Sequence, residues 1–270
     1  MDTASIAGHV NDGNSFHFPF HCHFDLPMIE IFGYQVQITK FMVIEALVAI
    51  LMILFFVPLA SKIKKGEPVR GRFSNLLEVF LLFIRDQIAR PCIGHGADRF
   101  VPLLWTIFFF ILGLNLFGMI PGFGSPTASY SVTAVLAVIA FLTVVLAGSV
   151  KLGPVKFWLS QVPHMDVPFG LGYILKPLLF VIEVFGLFVK HFVLCIRLFA
   201  NLFAGHLVLA VFTSFITAAA TGWLLWTAVT IPSAALCVAI SLLEIFVAFL
   251  QAYIFTFLMS LFIGMARHPH

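Results

Sequence analysis

The sequence has few charged residues. Only 10% of its 270 residues are Asp, Glu, Lys or Arg, whereas 61% are hydrophobic. A soluble domain carries about 25% charged residues, so this chain lacks the charge that would keep its apolar surface in water. Its mean hydropathy of +1.08 indicates lipid as the solvent, in which a crossing helix needs about 20 mainly apolar residues. The composition therefore predicts an all-α integral membrane protein.

The sequence lacks the residue patterns of disulfide, zinc, nucleic-acid and nucleotide sites. The four cysteines (Cys22, Cys92, Cys195 and Cys237) lie far apart and form no CxxC pair, which argues against a disulfide framework or a zinc site. The net charge is only +3, and the sequence contains no run of basic residues long enough to suggest binding to nucleic acid. No phosphate loop of the form GxxxxGK(S/T) occurs, so no nucleotide-hydrolysing site of its own is expected. We predict neither a metal nor an organic cofactor.

Residues 1–40 are polar and predict an irregular arm outside the membrane, followed by one membrane domain over 41–270. The arm contains a His-rich run, residues 17–23, whose side chains suit a metal. A flexible tail without metal is the preferred interpretation, because chain ends are commonly disordered. The first apolar run begins near Phe41, too late for a signal peptide, and is interpreted as a retained span.

Apolar runs predict five membrane crossings. Three runs have the length of an ordinary span: residues 41–60, 101–120 and 130–150. Residues 73–99 show apolar residues at helical spacing among charges and predict an interfacial amphipathic helix. The last two runs, 177–216 and 230–265, have no internal turn signal, yet a 40-residue helix is about 60 Å long and the hydrocarbon core about 30 Å thick. Pro177 and Pro232 lie at the starts of these runs, where proline is tolerated. We therefore predict two long, strongly tilted or bent helices that form a hairpin through 217–229.

The basic residues predict the orientation. They fall on one side of the five-crossing arrangement, whereas the predicted loops 121–129 and 217–229 carry no charge. The positive-inside rule then places the amino terminus outside and the carboxyl terminus on the cytoplasmic or matrix side.

Ionisable residues lie inside the apolar runs: Glu45, Glu183, Lys190, Arg197 and Glu244, with His191 and His206. A charge at mid-membrane costs about 2.5–3.5 kcal/mol even on the lenient insertion scale, so such residues generally line water or meet partners. An ion-pair network that only holds the helices together is the structural alternative. Glu183, Lys190 and Arg197 recur every seven residues, which keeps them on one helical stripe. Lys190 is interpreted as structural or interfacial, and Glu45 as either a packing contact or a subunit contact.

An antiparallel hairpin of the last two helices would pair these residues by depth. Arg197 with Gln251, and His206 with Glu244, have nearly the same midpoint in the uncharged turn, so each pair should be level. Glu183 then lies toward the cytoplasm, Arg197 in the middle, and His206 with Glu244 toward the outside. Arg stays charged at any working pH and His titrates near neutrality. The arrangement suits two aqueous paths that end on either side of one permanent charge.

Three motifs resemble those of ATP synthase a subunits. The segment RLFANLFAGH, residues 197–206, is similar to the family motif RLFxNxxAGx. The segment LQAYIF, residues 250–255, resembles the family's LQAxIF, and NLFGMIP, residues 115–121, resembles its NLxGxxP turn. The resemblance follows the family's order over most of residues 40–265, and the three motifs together are specific.

The resemblance implies a stator subunit of the F0 sector that conducts protons through two offset half-channels. It implies that Arg197 faces a rotating ring of c subunits, each with a mid-membrane carboxylate. It implies supporting roles for two amides and half-channel roles for three ionisable residues: Asn201 and Gln251, then Glu183, His206 and Glu244. Peripheral-stalk b subunits and membrane lipid are the other partners implied, and ATP chemistry would belong to other subunits. The bacterial inner membrane is the preferred location, with the mitochondrial inner membrane as the alternative.

One departure from the family pattern is informative. Some members carry Glu at the position of His206 and His at the position of Glu244, whereas this sequence has them reversed, as mitochondrial members often do. A reciprocal exchange keeps one acid and one imidazole at the same depth, which supports the predicted hairpin.

Two other classes remain open from the residues. A proton-coupled secondary transporter would normally show an inverted repeat and broken helices, and neither is visible. A haem-binding redox subunit would use His191, His206 or outer histidines, but too few membrane histidines pair across helices for that, and an absorption spectrum would detect it.

Overall fold

The computed structural model describes residues 15–17, 23–25, 28–31, 34–64, 71–120, 124–160, 172–219 and 222–267. In chain order its helices are α1 Lys40–Lys64, α2 Arg72–Phe83, α3 Arg90–Ile93, α4 Val101–Gly118, α5 Tyr130–Leu152, α6 Pro154–Leu159, α7 Gly172–Ala218 and α8 Trp223–Arg267. Within the described residues, the five helices α1, α4, α5, α7 and α8 are long and apolar enough to cross a membrane. The predicted all-α membrane fold with five crossings is confirmed.

The polar arm is more regular than its composition predicts. Strands β1 (Ser15–His17) and β2 (His23–Asp25) pair antiparallel, and so do β3 (Met28–Ile31) and β4 (Tyr34–Gln37). The prediction of an irregular arm is wrong for these segments. In β4 an aromatic or β-branched residue alternates with Gln, a two-residue period typical of a strand. The remainder of the His-rich run, between β1 and β2, lies outside the described residues.

The last two crossings are longer than predicted. Helix α7 has 47 residues and α8 has 45, which at about 1.5 Å per residue makes each about 70 Å long. Pro177 and Pro232, predicted at the helix starts, lie inside α7 and α8. A proline removes only one backbone hydrogen bond, and packing in a membrane tolerates that loss. The turn between the helices is accordingly shorter than the predicted 217–229.

The interfacial segment is not one continuous α-helix. After α2 the chain forms a π-helical turn, Ile84–Ala89, then α3 and a 3-10 turn, Ala97–Arg99. The π-helical turn buries Ile84, Ile88 and Ala89 together. Helix α3 ends where Gly94 and Gly96 adopt φ values of 71° and 85°, which residues with a Cβ rarely adopt. The amphipathic prediction is confirmed for α2, whereas the glycines end the helix before residue 99.

The chain forms two compact units. Unit 1 contains Met1–Pro68, Phe109–Thr133 and Leu198–Ala252, and unit 2 contains Val69–Phe108, Ala134–Arg197 and Tyr253–His270. In unit 1, α1 and α4 share a core of Phe41, Ile44, Val48 and Leu114. In the same unit α7 meets α8 where Gly205 contacts Glu244.

Unit 2 contains another part of the same helix pair. There the His191 ring of α7 lies 5.1 Å from the Phe262 ring of α8, centroid to centroid. Helix α8 also contacts the interfacial segment, because Ser260 donates a hydrogen bond of 3.4 Å to the Ile88 carbonyl. The contacts within each unit agree with the predicted antiparallel hairpin of the last two helices.

Candidate functional site

A buried carboxylate lies at the contact between α7 and α8 in unit 1. Glu244 of α8 is only 6% exposed. A Cβ on Gly205 of α7 would touch its Oε1 and lie 3.0 Å from Cδ and 3.2 Å from Cγ. Ordinary carbon contacts are about 3.5–4.0 Å, so glycine leaves the room that the carboxyl group occupies. The sequence predicted that Glu244 is level with His206, and the structure places it against the preceding residue.

Glu244 lines a cavity of about 260 Å³. Residues of α7 and α8 line it: Asn201, Leu202, Ala204, Gly205, Val208, Ile240, Leu243, Glu244 and Val247. Only Asn201 and Glu244 supply polar side chains, and the other walls are apolar or glycine backbone. A water molecule occupies about 30 Å³ in the liquid, so this cavity has room for several. The site therefore combines an ionisable acid, an amide and space for water.

Five polar atoms of unit 1 are buried and lack a hydrogen-bond partner among the described residues. They are Asn201 Nδ2, His206 Nε2, Thr230 Oγ1, Glu244 Oε1 and Gln251 Nε2. An unpaired buried polar atom costs about 1–3 kcal/mol, and such atoms are rare in folded proteins. His206 and Glu244 are therefore not joined by a hydrogen bond at these atoms, and the water that they were predicted to share stays a prediction. The polar groups at this helix contact thus do not form a network of mutual hydrogen bonds among the described residues.

Arg197 and Glu183 belong to the part of α7 that lies in unit 2. The Arg197 side chain is exposed and the Glu183 side chain is half-buried. Neither residue, nor Glu244, forms an ion pair with any described residue. Among the described residues, therefore, no ion pair accounts for these three charges in apolar helices. The predicted level pairing of Arg197 with Gln251 joins residues of different units and stays a prediction.

His191 is a second buried imidazole, in unit 2. It is 3% exposed, and its Nδ1 lies 2.9 Å from the Leu187 carbonyl oxygen. The rings of Phe141 and Phe262 enclose it at centroid distances of 5.3 and 5.1 Å. Its Nε2 has no partner among the described residues. Aromatic rings rather than a second imidazole therefore surround His191, an arrangement unlike a bis-histidine haem site.

Sequence reasoning missed a polar network next to Glu244 in unit 1. Asn115 is fully buried in α4. Its Oδ1 accepts a hydrogen bond of 2.8 Å from the Thr127 hydroxyl, and its Nδ2 donates one of 3.3 Å to the Ala248 carbonyl of α8. The NLxGxxP motif contained the signal, but it was interpreted only as a turn. The motif instead connects α4 to the turn of α8 that follows Glu244.

A cluster of ion pairs lies on the interfacial segment of unit 2. Arg85 is 3.0 Å from Asp98, and Arg90 is 2.9 Å from Asp86 and 3.8 Å from Asp98. The hydrogen bond from Arg85 lowers the pKa of Asp98 below its ordinary value. Burial raises the pKa of the nearby Cys92 thiol, and a hydrogen bond with Ser260 partly offsets that rise. These exposed pairs add little stability.

The fold and the site define a multi-pass membrane protein with a buried acid, an imidazole and two amides within its spans, and an exposed guanidinium on the same helix pair. The sequence profile of the ATP synthase A chain family matches residues 42–264. The chain belongs to this family, as the motifs predicted.

Named relatives agree with this assignment. The ATP synthase subunit a 2 of Chlorobaculum tepidum is 38% identical over 266 residues, which are 97% of this chain and 72% of that protein. The ATP synthase subunit a of Chloroherpeton thalassium is 39% identical over 262 residues, 96% of this chain and 75% of that protein. The ATP synthase subunit a of Anaeromyxobacter dehalogenans is 45% identical over 212 residues, 77% of this chain and 52% of that protein.

Proposed function

We propose that this chain is the proton-translocating stator subunit of an F0 sector in a bacterial inner membrane. The observation that carries the proposal is the set of unpaired buried groups of Asn201 and His206 on α7 and of Glu244 on α8, with Arg197 exposed on α7. Family membership supports the subunit assignment, and the unpaired groups support the transport role.

The outer half-channel would use the cavity in unit 1. Glu244 and Asn201 both line this cavity, and each has a buried polar atom without a hydrogen-bond partner among the described residues. His206 follows Gly205 directly and also has an unpaired nitrogen. An acid and an imidazole are the side chains that exchange protons with water most readily near neutral pH. Protons would therefore pass between outside water and the middle of the membrane by way of these groups.

The inner half-channel would lead from the cytoplasm past Glu183. That carboxylate lies on α7 with Arg197 and has no ion-pair partner among the described residues. A carboxylate open to the cytoplasm can pass on a proton released at mid-membrane. The two paths would thus lie on opposite sides of Arg197.

Arg197 forms no ion pair with any described residue, so a carboxylate from another subunit would have to balance its charge. An exposed guanidinium in lipid costs about 2.5–3.5 kcal/mol or more, so a partner subunit carrying a carboxylate would stabilise it. Such a carboxylate is the group implied for each member of a rotating c-ring. Because Arg keeps its proton, Arg197 would hold the passing carboxylate ionised without offering a direct route between the paths.

Transport and rotation would then be coupled. A ring carboxylate releases its proton into the inner path, passes Arg197 as an anion, and takes up a proton from the outer path. Each charge that crosses supplies about 2.3 kcal/mol per 100 mV. Peripheral-stalk b subunits would hold this chain still, and ATP would be made by other subunits of the complex.

Replacement of Glu244 by Gln tests the proposal. The complex carrying Glu244→Gln should assemble with its ring, because Gln has nearly the same volume, yet lose most ATP-driven proton pumping in sealed vesicles. The control is Glu78→Gln, the same change on the interfacial α2, which should pump normally. Normal pumping by Glu244→Gln, or purification of an active complex without a ring, would contradict the proposal.

A further inference from the structure

A chain of buried hydrogen bonds links the segment before α5 to α8 in unit 1. Ser125 and Thr127 have hydroxyl oxygens 3.1 Å apart, and Thr127 donates to Asn115 Oδ1 at 2.8 Å. Asn115 Nδ2 then donates to the Ala248 carbonyl at 3.3 Å. Ser125, Thr127 and Asn115 are each at most 1% exposed. These bonds therefore give each of the three buried side chains a hydrogen-bond partner within the protein.

The direction of this chain follows from counting protons. A threonine hydroxyl has one proton, and Thr127 gives its proton to Asn115. Ser125 must therefore donate to Thr127. Because Oδ1 accepts from Thr127, the Asn115 amide can only turn its NH₂ group toward Ala248. The Ala248 carbonyl can only accept, so it sets which way round the amide lies, and the bond from Thr127 to Oδ1 holds the amide in that orientation. Connected hydrogen bonds of this kind strengthen one another.

The close approach of the segment to α4 depends on glycine. A Cβ on Gly118 would meet the Ser125 side chain and lie 2.9 Å from the Ser125 Cα. Asn115 and Gly118 are separated by about one turn of α4. Gly118 therefore admits Ser125 while Asn115 binds Thr127, so both residues of the NLxG motif hold the same segment.

The bond to Ala248 bears on Glu244 because the two lie one turn apart on α8, about 6 Å along the helix axis. In an α-helix the Ala248 carbonyl already accepts a bond from the amide four residues later. The added bond from Asn115 connects this turn of α8 to α4. It resists sliding or rotation of α8, either of which would move Glu244 away from Gly205.

We propose that Thr127 is a positioning residue for proton transfer: through Asn115 it holds the turn of α8 that carries Glu244 in place. This inference rests on the proposed function of Glu244. Thr127 touches no reacting atom, and its effect is transmitted through the Asn115 amide and the Ala248 carbonyl.

The test replaces Thr127 by Val, which keeps the shape and removes the hydroxyl, in the full complex in sealed vesicles. ATP-driven pumping should fall about tenfold, which is about 1.4 kcal/mol. The pH midpoint of pumping should also move, because Glu244 would leave its place beside Gly205. Thr127→Ser restores the donor and should recover both rate and midpoint. The control Thr143→Val removes a hydroxyl that bonds only the Ile139 carbonyl of its own helix, and should change neither.

The outcomes separate this inference from the proposed function. If Glu244→Gln abolishes pumping while Thr127→Val pumps at the normal rate and midpoint, the positioning role is wrong. If Glu244→Gln pumps normally, the proposed function fails instead. A uniform loss at every pH, equal to the loss of assembled complex, would show a merely structural Thr127. Should Thr127→Val fail to assemble, Ser125→Ala carries the test: it should lower pumping about threefold with the same shift in midpoint, and normal behaviour would contradict the inference.

Discussion

Replacement of Gly205 by Ala changes the room available to the Glu244 carboxyl group by one methyl group. In most helix interiors this substitution is favourable, because Ala has the higher helix propensity by about 1 kcal/mol. At Gly205 the new Cβ would touch Oε1 and lie 3.0 Å from Cδ and 3.2 Å from Cγ of Glu244. The carboxyl group is the far end of a flexible side chain, so it should move aside while the helices stay packed. We therefore expect Gly205→Ala to assemble normally.

The size of the functional effect follows from the required displacement. Ordinary carbon contacts of about 3.5–4.0 Å require the carboxyl group to move by about 0.5–1 Å. A misplacement of about 1 Å at a reacting group lowers rates by about 10²-fold. ATP-driven proton pumping by Gly205→Ala should therefore fall by between about tenfold and about a hundredfold.

The chain offers a matched control on the same helix. A Cβ on Gly186 of α7 would meet nothing within 4 Å, so Gly186→Ala has the gain in helix propensity without the displacement. Both variants would be assembled in the full complex, and pumping would be followed with a pH-sensitive dye in sealed vesicles. Equal pumping by the two variants would refute the idea that the Glu244 carboxyl group must occupy its place beside Gly205.

Three further predictions concern other groups. Swapping the acid and the imidazole, as His206→Glu with Glu244→His, should retain more pumping than either residue changed to Ala, because both groups stay at one depth; a swap as inactive as the single variants would argue against the pairing. Because Arg85 lowers the pKa of Asp98, this carboxylate stabilises the fold above its ordinary pKa and ceases to do so as the pH falls through the lowered value. Asp98→Asn should thus lower the Tm slightly at pH 7 but leave it unchanged in acid, and a difference that grew in acid would reverse that sign. Because burial raises the pKa of Cys92, its thiol should react with a soluble maleimide more slowly than the thiol of a Ser61→Cys variant. Ser260→Ala removes a hydrogen bond that lowers the pKa of Cys92, so Cys92 should react more slowly still in that variant. A faster reaction of Cys92 in Ser260→Ala would contradict this role of Ser260.

The crossings could be predicted from the sequence because lipid imposes one simple demand, a long apolar helix. The starts of α7 and α8 could not, since Pro177 and Pro232 were interpreted as first-turn residues whereas packing accommodates them inside the helices. The strands of the arm were missed because their polar composition hid a short two-residue alternation. The composition of a segment thus predicts whether it lies in lipid or in water, but it does not predict the backbone hydrogen bonds that the segment forms.

The ionisable residues of the candidate site were evident from the cost of placing charge in an apolar run. Glu244 and His206 could also be paired by depth, because the hairpin has a single turn. The roles of Gly205 and Asn115 could not be found in this way. Gly205 acts because it has no side chain where the Glu244 carboxyl group lies, and Asn115 acts through the backbone carbonyl of Ala248. Neither contact leaves a periodic or electrostatic pattern in the sequence.

Arg197 provides the most direct test of the account as a whole. Its guanidinium is exposed and has no ion-pair partner among the described residues, and it is proposed both to meet the ring carboxylate and to separate the two paths. The measurement is proton-driven ATP synthesis by Arg197→Ala complexes in sealed vesicles, with assembly and passive proton leak followed in parallel. The account predicts normal assembly, no ATP synthesis and an increased leak, with Arg197→Lys also inactive because the geometry of the fixed charge is lost. ATP synthesis by an assembled Arg197→Ala complex at near the normal rate would contradict it.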